Sequence, residues 1–177
     1  EIEPNNCKAY NNLGNAFKEL GKLEEATASY QQAIKIEPNY TKAHFNLGNI
    51  LNDSNKFKEA ISSLVLALKI DPNYKEAHNC LAISYKRLGK FEQAITHYKK
   101  ANTSESRAQI LQCLYVLKKT NEYSKYLSKL CKNDMRNIKA ASISTFVSNQ
   151  LNLDNIYPFC KNPLKFIFFR NIKSHFI

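Results

Sequence analysis

Acidic residues are scarce in the second part of this 177-residue chain: residues 103–177 hold 4 against 12 Lys and Arg, whereas residues 1–102 hold 11 against 14. The formal net charge of +11 thus divides into +3 and +8. No apolar run approaches the roughly 20 residues that a membrane-spanning helix needs, which excludes such a span. The cysteines at 7, 80, 113, 131 and 160 form no C-x-x-C pair. That spacing argues against a zinc module or an oxidised scaffold, and we expect reduced thiols and a cytoplasmic setting. No Gly-rich phosphate loop, H-E-x-x-H or G-x-S-x-G motif is present, so no catalytic residue, cofactor or metal is expected. We read this chain as not an enzyme, a reading that leaves the full-length protein open. After Gly89 there is no glycine, so the later part is not a flexible Gly/Ser linker.

With 44% hydrophobic and 23% charged residues, the chain has material for a core. It also has a period. IEPNN at 2–6, IEPNY at 36–40 and IDPNY at 70–74 place prolines at 4, 38 and 72, a step of 34. Recurrence at such a step marks stacked supersecondary units. When 7–40, 41–74 and 75–108 are laid over one another, slot seven is Leu13, Leu47, Leu81 and slot eight is Gly14, Gly48, Ala82. Slot eleven is Phe17, Leu51, Tyr85; slot twenty is Ala26, Ala60, Ala94. Slot twenty-four is Tyr30, Leu64, Tyr98, and slot twenty-seven is Ala33, Ala67, Ala101.

These positions step by three, four and seven, one face of a helix, and the pattern breaks at Gly21, Asn55 and Gly89, residue types that suit the left-handed end of a helix. Each unit therefore reads as two antiparallel helices, the first near 8–20, 42–54 and 76–88, the second near 24–36, 58–70 and 92–103. Small slots let the backbones approach and large ones fill the gap. His44 and His78 share core slot four and read as packing residues; His97 reads as helix surface and His175 as tail.

This pattern resembles the tetratricopeptide repeat (TPR) family over 102 of 177 residues. The resemblance implies an all-α fold, a right-handed TPR superhelix (α-α solenoid) of antiparallel helix pairs. Residues 1–6 match the end of a repeat, and the first residue is Glu1 rather than methionine, so an upstream repeat is expected. The repeats are then 7–40, 41–74 and 75–108. LKKTNEYSKYLSKL at 117–130 echoes KRLGKFEQAITHY at 86–98, giving a degenerate pair within 109–133, with helices near 106–119 and 122–132. That overlay places Tyr123 under Phe91 and Tyr126 under the small Ala94, so the crossing there should splay. Residues 134–151 read as one more helix, with Asp134 near its start and Ile143, Phe146, Val147, Gln150 and Leu151 on one face. Residues 152–177 form a basic aromatic tail, or a junction to a further domain.

In a stacked array the first helices line the inner, concave surface, and slots two, five, six, nine, twelve and thirteen are free of core duty. Repeat one offers Lys8, Asn11, Asn12, Asn15, Lys18 and Glu19; repeat two offers Lys42, Phe45, Asn46, Asn49, Asn52 and Asp53. Repeat three offers Glu76, Asn79, Cys80, Ile83, Lys86 and Arg87. An asparagine amide can donate to and accept from one peptide unit, so such a row can hold an extended backbone without reading its side chains. A row of solvated helix residues would look alike in sequence. Candidate peptide contacts are Lys8, Asn11, Asn12, Asn15, Lys18, Lys42, Asn46, Asn49, Asn79 and Lys86.

The N-L-G words at 12–14 and 46–48 are similar to those of O-linked N-acetylglucosamine transferase repeats, a resemblance that implies Asn12 and Asn46 as rungs of a substrate ladder, broken at Cys80. The carboxylate clamp of chaperone adaptors is matched at Asn15 and Asn46 but not at Asn11, Glu76 or Cys80, which disfavours chaperone tails. SNQLNLDNIYPFCKNPLKFI at 148–167 looks like the junction to a downstream catalytic domain, of iron and 2-oxoglutarate oxygenase type, in some bacterial TPR proteins.

Three functions follow as expectations. The first is a protein-interaction module that binds an extended peptide in its groove. The second is the substrate-docking arm of a larger enzyme, a glycosyltransferase or an oxygenase. The third is a basic adaptor for nucleic acid or a membrane surface, suggested by lysines such as Lys118, Lys119 and Lys125 and by the Phe166–Phe169 run. A solvated lysine face explains that charge better, since no nucleic-acid motif accompanies it. The expected partner is a protein or peptide, with no small-molecule substrate, and open repeat ends leave room for self-association.

Overall fold

The computed structural model describes residues 6–133 and 138–151. The upstream repeat end at 1–5, Asp134, His175, and the tail with its Phe166–Phe169 run lie outside the described residues. The chain divides into two compact bodies, 1–102 and 103–177.

The first body holds helices α1 (Cys7–Glu19), α2 (Leu23–Ile36), α3 (Thr41–Asp53), α4 (Phe57–Ile70), α5 (Lys75–Arg87) and α6 (Phe91–Ala101). They pack as antiparallel pairs α1–α2, α3–α4 and α5–α6, and each pair docks on the next. The small slots are where the backbones meet. Ala26, Ala33, Ala60, Ala67 and Ala94 are wholly buried, and Ala101 all but so. A Cβ at Gly14 would stand 2.5 Å from the Tyr30 ring, and one at Gly48 would stand 2.5 Å from Leu64 Cγ. The large residue of slot twenty-four thus fills the notch left at slot eight. Tyr30 and Leu64 are completely buried, a burial that stabilises by about 2 kcal/mol for a side chain of that size.

One turn closes every first helix. Gly21 and Gly89 at φ 73° and Asn55 at φ 58° adopt the left-handed conformation. In each case the next residue donates back five positions: Lys22 to Phe17, Lys56 to Leu51, Lys90 to Tyr85. This is the Schellman arrangement that satisfies orphan carbonyls at a helix end. The second helices end differently. Glu37 and Asp71 leave α2 and α4 in extended backbone, and the chain then turns through Pro38-Asn39-Tyr40 and Pro72-Asn73-Tyr74 into the next helix. His44 donates from Nε2 to the Pro38 carbonyl at 2.8 Å and His78 to that of Pro72 at 3.0 Å. The two slot-four histidines, buried to 5% and 4% exposure, fasten each first helix to the turn before it.

At the third repeat this construction stops. Asn102 ends α6 with φ 50°, and Thr103 with Ser106 forms a capping box that starts α7 at Ser104. First helices start at 7, 41, 75 and 104, so the step falls from 34 to 29. The second body holds α7 (Ser104–Val116), α8 (Thr120–Asn133) and α9 (Ile138–Leu151). Its turn copies the other three: Lys118 has φ 54°, and Lys119 donates to Leu114. Counting from Lys118 corrects the register read from sequence. Tyr123, not Tyr126, holds the small slot twenty; it is 4% exposed, whereas Tyr126 is only half-buried. Slot eight becomes Leu111. With both notches filled by bulk, α7 shares its packing between α8 and α9. The α9 face also differs from expectation: Ala140, Ala141, Ser144 and Val147 are buried, while Gln150 is exposed.

Candidate functional site

The first helices α1, α3 and α5 lie side by side, α3 touching both neighbours. Their free slots carry polar side chains at a spacing fixed by the repeat. Lys8, Asn12, Asn15 and Lys42 are exposed; Lys18, Asn46, Asn49, Asn79 and Lys86 are half-buried; Asn11 is buried at 4% exposure.

Much of the amide capacity is spent between repeats. Asn46 donates both Nδ2 hydrogens backward, to Asn11 Oδ1 at 2.9 Å and Asn15 Oδ1 at 3.3 Å. Asn15 Oδ1 also accepts from the Tyr30 hydroxyl at 2.9 Å. One boundary on, Asn52 donates to the Cys80 carbonyl at 3.1 Å and accepts from Ser84 at 2.7 Å, and the Cys80 thiol points to Asn49 Oδ1 at 3.8 Å. Lys18 and Asp53 form an ion pair across the first boundary at 3.5 Å. Phe45 packs on Tyr74 with ring centroids 4.9 Å apart. The row is therefore in part a zipper that sets the spacing of neighbouring repeats.

What remains unspent faces outward. Among the described residues, Asn12 keeps a whole amide, Asn15 and Asn49 keep their Nδ2 donors, and Asn46 keeps an acceptor. Among the described residues nothing donates to Asn79 Oδ1, which is buried; it sits in the slot where Asn11 accepts from the following repeat. The exposed cations Lys8, Lys42 and Arg87 edge the row, with Glu76 as an opposing charge. Cys80 is no nucleophile, because burial pushes its thiol up to about 11. None of the four described cysteines is in a disulfide.

His97 is not the surface residue its sequence context implied. Its Nδ1 lies 2.9 Å from His78 Nδ1, and its ring stacks on Tyr85 at 5.6 Å. Since His78 Nε2 donates to Pro72, its Nδ1 must accept, so His97 carries its proton on Nδ1. Burial, then the neighbouring His78 and Lys100, brings the His97 pKa down to about 4, and burial lowers that of His78. Sequence alone hid this pair, because the partners stand nineteen residues apart on two helices. The Asn52–Ser84 and Tyr30–Asn15 bonds were hidden likewise. Among the described residues no cluster of three metal-ligating side chains occurs, and no helix is long and apolar enough to cross a membrane.

Models of the TPR repeat match residues 14–52 and 48–89, and a tetratricopeptide repeat model matches 76–108. Together they run over more than half of the chain. No curated protein matches it in sequence. Among solved structures, MamA aligns with TM-score 0.70 at 21% identity, covering 77% of each chain. YrrB, a TPR protein with an unusual peptide-binding site, aligns with TM-score 0.66 at 20% identity, covering 82% of this chain and 80% of its own. The first TPR of Spaghetti (RPAP3), bound to the HSP90 peptide SRMEEVD, aligns with TM-score 0.63 at 21% identity, covering 66% and 96%. At these identities the likeness concerns the fold, an all-α solenoid of helix pairs.

Proposed function

Because the chain belongs to the tetratricopeptide repeat family, we propose that it is a protein-interaction module whose α1, α3 and α5 face binds an extended peptide segment. The observation that carries this reading is the residue of unspent hydrogen-bonding capacity at Asn12, Asn15, Asn46 and Asn49, along a face whose fixed spacing is enforced by the inter-repeat bonds. A peptide laid along that row would meet donors at Asn12, Asn15 and Asn49 and acceptors at Asn12 and Asn46. Lys8, Lys42 and Lys86 would favour acidic residues in it. Two of the structural neighbours are peptide binders by their own descriptions, which supports the reading for this chain. Glu76 and Cys80 stand where a carboxylate clamp would carry basic residues, so the proposal does not extend to chaperone tails.

The similarity of Asn12 and Asn46 to an asparagine ladder needs one adjustment. Asn46 has already spent its donors and can serve a peptide only as an acceptor. Each net neutral bond contributes about 0.5–1.5 kcal/mol, and association costs consume much of the sum; binding should be micromolar or weaker.

The test is to select extended peptides from a random display library on the chain and measure the affinity of the best binders. Asn12→Ala and Lys42→Ala, both at exposed positions, should weaken those peptides several-fold at unchanged melting temperature. Binders indifferent to both substitutions would refute the assignment of the face.

A further inference from the structure

The C-terminal body contains a cavity of about 430 Å³ between α7, α8 and α9, and the peptide face makes no use of it. Its walls are mainly apolar. Leu114, Tyr123 and Val147 are buried and Val116 is half-exposed, while Lys118 and Lys119 line it from the turn, Lys118 at an exposed position. The cavity lies in the one helix pair whose notch slots are filled: Leu111 stands where Gly14 and Gly48 stand, and Tyr123 where Ala26 and Ala60 stand. Bulk in those slots keeps α7 and α8 from closing as the other pairs do, and α9 completes the wall.

Lys118 gives the cavity its chemistry. It occupies the left-handed slot that the three other turns fill with Gly21, Asn55 and Gly89. A lysine is disfavoured in that backbone conformation, and residues held against such a preference cluster at ligand sites. Lys119, beside it, shares its charge with Glu122 at 3.6 Å, which leaves Lys118 as the main cation at the opening. An apolar chamber of this size, within the range of small-molecule sites, with ammonium groups at its mouth, complements a molecule that is apolar at one end and anionic at the other.

We propose that this cavity binds a small carboxylic acid with an apolar body, its chain against Leu114, Tyr123 and Val147 and its carboxylate at Lys118. No sequence motif announces the site, because its walls come from three helices, and the sequence pointed to no small-molecule substrate.

Decanoate is a suitable probe, with decanol as its uncharged counterpart, each titrated into the whole chain by calorimetry. Decanoate should bind saturably at one site, and decanol about tenfold more weakly, the factor corresponding to one charge-assisted contact of about 1.4 kcal/mol. Lys118→Gly removes the ammonium while suiting the backbone; it should bring decanoate down to the affinity of decanol and leave decanol unchanged. Val116→Glu, at the half-exposed wall, should repel decanoate with little effect on the fold. Non-saturating binding, equal affinity for the two probes, or Lys118→Gly binding decanoate as the parent does would each overturn the proposal.

Discussion

The ring of Tyr30 lies against the bare Cα of Gly14, so close that a Cβ there would stand 2.5 Å from Cε1. The ring cannot retreat cheaply, since its hydroxyl is held by Asn15 at 2.9 Å. Helix propensity alone would favour Gly14→Ala by about 1 kcal/mol, whereas overpacking a buried contact costs about 1–3 kcal/mol. We expect the steric cost to win and Gly14→Ala to lower stability by about 1–2 kcal/mol, read from urea denaturation. Tyr30→Leu should make the same alanine tolerable. A stabilised Gly14→Ala would show that the notch does not set the helix crossing.

Asn46 couples repeats one and two. Asn46→Ala leaves the Asn11 carbonyl oxygen buried without its donor, which should cost about 1–3 kcal/mol. In a double-mutant cycle with Asn11→Ala, a coupling of about 1 kcal/mol is expected for residues in direct contact. Asn12→Ala, one residue along and exposed, should leave the denaturation midpoint unchanged. The pair separates the structural asparagines from the available ones; zero coupling would remove Asn46 from the repeat boundary.

The His78–His97 pair makes stability depend on pH. Both rings have pKa values below the ordinary 6.5, that of His97 about 4, with burial the main cause. In the unfolded chain they take up protons as pH falls through 6.5, while in the folded chain His97 resists until about 4 and His78 also protonates below its ordinary value. The unfolded state then binds more protons, so stability is full above 6.5 and falls between 6.5 and 4. Of the charges near the pair, Lys100 acts in the same direction. Thermal melts at pH 7 and pH 5 should differ by several degrees beyond the change contributed by carboxylates. His97→Gln can still donate to His78 and does not titrate; its melts should show a shallower pH dependence, and an unchanged slope would discount the pair.

The first three repeats were legible because a fixed sequence step serves a fixed geometric need: Gly14, Ala26 and Ala33 are small for the same reason as Gly48, Ala60 and Ala67. The fourth pair was legible as a pair of helices but not in its register, which hangs on Lys118, a residue whose type gives no hint of a left-handed backbone. Without that anchor, the overlay of 117–130 on 86–98 sets Tyr123 under Phe91, three residues out of register. The asparagines of the first helices were legible as a row but not as a zipper. Residue type states that Asn46 can donate; only the neighbouring helix shows that Asn11 and Asn15 take the donation. His97 was misplaced because its burial comes from Tyr85 and His78 on another helix.

Lys118 also provides the sharpest test of how closely the fourth turn follows the others. A non-glycine residue in the left-handed region costs about 1–2 kcal/mol, and part of that is recovered by glycine after its greater chain entropy is counted. Lys118→Gly should therefore raise stability by about 0.5–1 kcal/mol. A change at Lys119, one residue on with ordinary backbone, should give no such gain. Because Lys118 is exposed, the lysine side chain contributes little packing that its removal could lose. A gain in melting temperature for Lys118→Gly, with none for Lys119→Gly, would show that the turn after α7 is the same device as those at Gly21 and Gly89. A loss at Lys118 would mean that the backbone there does not adopt the left-handed conformation.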